Sequence, residues 1–173
     1  SHKGLDLVRA AIEELLADDV QFVLLGTGDS EYESYFKDLA NRYKGKAVSI
    51  IAFNGDLSRK IYSGADIFLM PSKSEPCGLS QMIASRYLTV PVVRETGGLY
   101  DSIKPYGAGG NGFTFAAYNA GDMLYVLREA VSLYKNKPEW QKLMIKAGTT
   151  DFSWQRSAEE YKKLYTDTLA LLK

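Results

Sequence analysis

Apolar and polar positions alternate along the chain between a helical period and short apolar runs. Leu5, Val8, Ala11, Ile12, Leu15 and Leu16 recur at helical spacing, which predicts an amphipathic helix over about Gly4–Ala17. Gln21–Leu25 predicts a strand, Gly26-Thr27-Gly28-Asp29 its turn, Glu31 to about Tyr43 a helix and Ala47–Ala52 a strand. Asp56 stands where its carboxylate can cap a helix running to about Ser63. Ile67–Met70 predicts a buried strand stopped by Pro71, followed by a polar loop over Ser72–Pro76 and a helix over about Cys77–Tyr87. Val90–Arg94 predicts another strand, with Thr96-Gly97-Gly98 as its turn. Four glycines and a proline make Lys104–Gly112 a loop, with a short strand over Gly112–Phe115. Beyond Ala120 the pattern is helical only, over about Gly121–Tyr134, Glu139–Ala147 and Ser157–Leu172. The order predicts one doubly wound α/β domain with a Rossmann-like parallel sheet and a helical C-terminal tail.

At 173 residues the chain matches one domain of ordinary size. Lysine plus arginine equals aspartate plus glutamate at 21 each, so charge gives no reason to expect nucleic acid or an anionic membrane as partner. Apolar runs such as Ile67–Met70 fall far short of the roughly 20 residues of a membrane span. A single cysteine, Cys77, excludes an internal disulfide and suits a reducing compartment, so the cytoplasm is the expected location. The lone histidine, His2, makes a histidine-based triad or a zinc site of nitrogen and sulfur ligands improbable. The expected chemistry rests on carboxylates, amides and cations, with no metal site.

Ligands of open parallel sheets bind beyond the carboxyl ends of the strands. Four segments leave the predicted strands at that edge: the 26–29 turn, the loop after Ala52, Ser72–Gly78 and Glu95–Leu99. Pro71-Ser72-Lys73-Ser74-Glu75-Pro76-Cys77-Gly78-Leu79 places an acid just ahead of a helix whose first amides and dipole suit a phosphate. Gly78 allows close approach to the backbone, although Glu75 also has the plainer reading of an acid near a helix start. Thr96-Gly97-Gly98-Leu99 could form an amide nest, though paired glycines more often mark an ordinary turn. Gly26-Thr27-Gly28 starts like a dinucleotide fingerprint, but the third glycine is replaced by Glu31 and acids open the helix, which argues against a nicotinamide or flavin. No Asp-x-Asp pair offers a divalent metal, so a diphosphate would be neutralised by amides and cations. Phe53, following a strand at this edge, either stacks on a nucleobase or closes the core.

Pro71-Ser72 through Glu75-Pro76-Cys77-Gly78-Leu79-Ser80-Gln81, then Pro91-Val92-Val93-Arg94 and Thr96-Gly97-Gly98-Leu99, resembles bacterial glycogen synthases and plant starch synthases. Lys3-Gly4-Leu5-Asp6-Leu7, Gly64-Ala65-Asp66 and Phe152-Ser153-Trp154 extend the resemblance across almost the whole chain. It implies the C-terminal, donor-binding half of a GT-B glycosyltransferase, a retaining enzyme that moves glucose from ADP-glucose to the non-reducing end of an α-1,4-glucan without a metal or other cofactor. It further implies that Lys3 neutralises the donor diphosphate and that Glu75 orients the donor glucose. Amides at Cys77, Gly78 and Leu79, and at Thr96, Gly97, Gly98 and Leu99, would hold phosphate or glucose, with Phe53 near adenine. An N-terminal acceptor-binding domain, and the central first strand of a 3-2-1-4-5-6 sheet, would lie outside this chain, and Gln155–Leu172 would cross back to that domain. A plant member of the family would reside in the plastid. The position eight residues after Glu75, a second glutamate in much of the wider retaining family, is Ile83, which fits the narrower group and leaves the ribose contacts unassigned. Two other readings stay open: a stand-alone nucleotide-binding module without turnover, and a UDP-sugar transferase or epimerase of related fold.

Overall fold

The computed structural model describes residues 2–171. Its elements follow the order α1 (Leu5–Leu15), β1 (Phe22–Leu25), α2 (Ser30–Arg42), β2 (Ala47–Ile50), α3 (Gly55–Gly64), β3 (Ile67–Met70) and α4 (Ser80–Arg86). Then come β4 (Val90–Arg94), α5 (Gly97–Ser102), a 3-10 turn (Tyr106–Ala108), β5 (Phe113–Phe115), α6 (Ala120–Lys135), α7 (Lys137–Thr149) and α8 (Trp154–Leu171). All strand pairs are parallel, as strand–helix–strand crossovers require. The ladders form two sets, β2-β1 and β3-β4-β5. These sets match strands 3-2 and 4-5-6 of the order 3-2-1-4-5-6. Phe22 pairs with Ala47, Ile67 with Val90 and Val92 with Phe113.

The helical period of the sequence becomes one buried stripe. Leu7, Val8, Ala11, Ile12 and Leu15 of α1 face Met123, Leu124, Leu127 and Ala130 of α6 across the main core. Arg128 ties the two helices at their rim, bonding Glu14 at 2.8 Å and Asp18 at 3.0 Å. Strand β4, central in its set, is buried from Val90 through Val93, which is why it reads as a continuous apolar run. Trp140 and Leu143 of α7 complete the core on that side.

Several boundaries differ from the sequence expectation. Helix α1 begins after Gly4 because Gly4 adopts φ 75, and a Cβ there would lie 2.0 Å from the Pro71 carbonyl oxygen. The cap of α3 is Asn54, whose side chain accepts from the Leu57 amide at 2.9 Å, whereas Asp56 lies inside the helix and pairs with Arg59. Helix α4 starts at Ser80 instead of Cys77, since Gly78 takes φ 75 and breaks the helical path. Thr96-Gly97-Gly98 is the entry to α5 and not a free turn. Helix α8 begins at Trp154, ahead of the expected Ser157, and carries no buried residue: Tyr161, Leu164 and Leu171 are exposed, and Leu172 lies outside the described residues. Among the described residues, no helix is long and apolar enough to cross a membrane.

Candidate functional site

Because the strands of each set run parallel, the segments following β1 and β2 emerge at one end of the first set, and those following β3 and β4 at one end of the second. The loop after β3 carries the centre of the candidate site. Glu75 is 8% exposed, and its Oε2 accepts from Lys3 Nζ at 2.6 Å and Ser72 Oγ at 3.3 Å. Its other oxygen accepts from no group of the described residues, so one buried carboxylate presents one satisfied and one free acceptor. Lys3 keeps 65% of its side chain in solvent, which leaves a cation beside that free oxygen. Seventy-two positions separate the two residues in the chain. Backbone contacts bring them together: Gly4 sits against Pro71, and the Lys73 amide donates to the His2 carbonyl at 2.9 Å.

Glycines join this loop to the start of α5. A Cβ on Gly97 would lie 2.2 Å from the Glu75 carbonyl oxygen, and one on Gly98 would lie 1.9 Å from that of Cys77. The Gly98 amide donates to the Glu75 carbonyl at 3.0 Å. Gln81, fully buried, donates from Nε2 to the Gly78 carbonyl at 2.8 Å and to Ser102 Oγ at 3.1 Å. Ser102 in turn donates to the Gly98 carbonyl at 2.6 Å. This stitching engages the carbonyls of Glu75, Gly78 and Gly98 and leaves the amides of Cys77, Gly78 and Leu79, and of Thr96 and Gly97, without an acceptor among the described residues. Unpaired amides at an exposed edge are anion-binding groups.

Two expected donor-binding residues have other employment. The Gly98 amide is taken by Glu75, and its missing side chain makes room for Cys77. Leu99 is fully buried with Met70, Val93 and Ile103, and its amide donates to the Thr96 carbonyl at 3.0 Å. Both therefore build the site from behind. Cys77 is exposed, as is Leu79 at 65%. Phe53 stands apart beyond β2 with 96% of its surface in solvent, so it does not close the core. At the β1 turn, the Gly28 amide is held by Glu33 at 3.0 Å, in keeping with the argument against a phosphate there. A cavity of about 550 Å³ lined by Tyr106, Phe113, Val126 and Leu133 includes none of these residues.

Sequence reading missed the residues that hold the site in shape. Gln81 and Arg94 lay within the quoted motifs, but nothing assigned them a role. Ser102 and Tyr118 carried no signal, because Ser102 meets Gln81 across 21 positions of chain and Tyr118 meets Asp6 across 112. Arg94 at the end of β4 donates from Nη1 to the carbonyls of Lys73 at 2.8 Å and Ser72 at 3.3 Å, and from Nε to that of Ala116 at 3.2 Å.

A family model described as glycosyl transferases group 1 spans residues 1–166. The glycogen synthase of Kosmotoga olearia is 52% identical over 170 residues, covering 96% of this chain and 36% of that protein. The glycogen synthase of Bacillus cereus (strain Q1) is 51% identical over 166 residues, covering 94% of this chain and 35% of that protein. The chain thus spans about a third of the length of the curated relatives it matches. Among solved structures, the catalytic domain of starch synthase IV from Arabidopsis thaliana, bound to ADP and acarbose, superposes with a TM-score of 0.85 at 35% identity over 98% of this chain and 36% of that one. The α/β fold is the GT-B type that the motifs led us to expect. Family match and fold converge, and the chain belongs to the glycosyl transferases group 1 family.

Proposed function

We propose that this chain is the nucleotide-sugar-binding domain of a retaining α-1,4-glucan glucosyltransferase that takes glucose from ADP-glucose. The observation that carries the reading is the meeting of Lys3 and Glu75 at 2.6 Å, beside the unpaired amides of two glycine-bearing loops. Lys3 neutralises the diphosphate, helped by the amides of Cys77, Gly78 and Leu79 and of Thr96 and Gly97, and no metal ion is called for. Glu75 accepts a hydroxyl of the donor glucose at its free oxygen and fixes the sugar relative to the leaving group. Phe53 offers an exposed ring to the adenine. In the transfer, the bond from the anomeric carbon to the diphosphate breaks with its electron pair leaving on ADP. The 4-hydroxyl of the glucan end forms the new bond and gives its proton to the departing diphosphate oxygen, and the anomeric configuration is retained. The glucan is held by the N-terminal domain of the whole protein, outside this chain, and the setting is the cytoplasm, or the plastid in a plant.

The test is calorimetric titration of the chain with ADP, UDP and ADP-glucose, alongside Lys3→Ala and Glu75→Ala. Each lost charged contact is expected to cost about 1.5–3 kcal/mol, or about one to two orders of magnitude in affinity. Lys3→Ala should weaken both adenine ligands, while Glu75→Ala should weaken ADP-glucose more than ADP. Equal binding of UDP, or unchanged affinities in both variants, would sink the assignment.

A further inference from the structure

An ion pair with one exposed partner contributes little by itself, so Lys3 and Glu75 need something else to set their relative position. The side chains around Arg94 supply it. Its guanidinium binds the carbonyls of Ser72 and Lys73, in the loop that carries Glu75, and reaches the Ala116 carbonyl on the segment after β5. Its face lies 5.3 Å from the ring centre of Tyr118, over which Lys73 Nζ also sits at 5.7 Å. The Tyr118 hydroxyl donates to Asp6 Oδ1 at 2.6 Å, and Asp6 is in the first turn of α1, just beyond Lys3. One connected set of contacts therefore joins the segment bearing Lys3 to the segment bearing Glu75.

We propose that Arg94, acting with Tyr118, is a positioning residue that fixes the Lys3 ammonium against the Glu75 carboxylate for the donor sugar. A planar fork is needed because the two loop carbonyls and Ala116 lie on different segments, and a point charge cannot serve all three with directed bonds. The proposal rests on the donor-site reading above.

The test is ADP-glucose titration of the chain in a double-mutant cycle. Arg94→Met, which keeps the length of the stem and removes the donors, is expected to weaken ADP-glucose about 10–100-fold, the scale of a misplacement near 1 Å. Tyr118→Phe keeps the ring and loses only the bond to Asp6, and serves should Arg94→Met fail to fold; a loss of about 3–10-fold is expected. Arg94→Lys should restore part of the affinity. If Arg94 acts through Glu75, adding Arg94→Met to Glu75→Ala should cost less than threefold further, because contacts that work as a unit are not additive. Equal losses in both backgrounds would assign Arg94 a general structural role and overturn the proposal. Wild-type affinity in folded Arg94→Met, with Glu75→Ala impaired, would overturn it alone. Wild-type affinity in Glu75→Ala and Lys3→Ala would overturn the donor-site reading as well.

Discussion

Gly98 gives a test in which local and tertiary physics predict opposite signs. It is the second residue of α5 and has no positive φ, so alanine fits its backbone conformation. Helix propensity alone favours Gly98→Ala by up to about 1 kcal/mol. In the folded chain the new Cβ would lie 1.9 Å from the Cys77 carbonyl oxygen, 2.5 Å from its carbon and 2.6 Å from its Cα. Ordinary contact begins at 3.4 Å, so α5 and the loop must separate by roughly 1.5 Å. Both sides of the clash are backbone, and no rotamer change relieves it. Overpacking costs about 1–3 kcal/mol, and the upper part of that range applies here. The net expectation is a loss of about 2 kcal/mol, or about 4–8 °C in melting temperature for a chain of this size. The separation also strains the bond from the Gly98 amide to the Glu75 carbonyl, so ADP-glucose affinity should fall with stability. Gly64→Ala is the control: no atom lies within 4 Å of its Cβ, its φ is not positive, and it should gain about 0.4–1 kcal/mol. Thermal melting of both variants decides the matter. A Gly98→Ala protein that melts at or above the wild-type temperature would refute the steric argument.

Phe53→Ala should leave the melting temperature unchanged, since the ring is 96% exposed, while weakening ADP by about 1–3 kcal/mol if it stacks on the base. Calorimetry on the variant checks both halves. Asn54→Ala should destabilise the chain by about 0.5–2 kcal/mol through loss of the α3 cap, whereas Asp56→Ala should cost less because its ion pair with Arg59 is exposed; urea unfolding separates them. Arg42, with help from the Tyr43 hydroxyl, holds the Glu13 carboxyl down at about 2, against an ordinary 4.5. A depressed native value means that this contribution is present above the ordinary pKa and is lost as pH falls from about 4.5 towards 2. Solvent screening keeps the effect small, as both side chains are about two-fifths exposed. Unfolding measured across that window should show a shallower acid slope in Arg42→Met than in the wild type.

The sequence by itself determined which segments are helices and strands, their parallel order and the strand ends at which the candidate residues lie. Those features depend on periodicity and on the residues at strand ends, which are written within a few positions of one another. Leu7 to Leu15 announce a buried helical stripe, but the burial expected of Ile67–Met70 holds only at Met70, and it is β4 that is buried from Val90 through Val93. The motif residues Lys3 and Glu75 were also legible, through their resemblance to a family. Tertiary structure alone decided what the neighbouring groups do. Gly98 and Leu99 look like members of an amide nest, yet one amide is taken by Glu75 and the other by Thr96 once α5 packs on the loop. The left-handed turn at Gly78 delays α4 to Ser80, and only Asn54 reaches the free amide of α3. Arg94, Tyr118, Gln81 and Ser102 gain their roles from partners that lie far away in the chain or on another element. A hydrogen bond needs its donor and acceptor within about 3 Å, and for distant residues that proximity is created by the packing of the core.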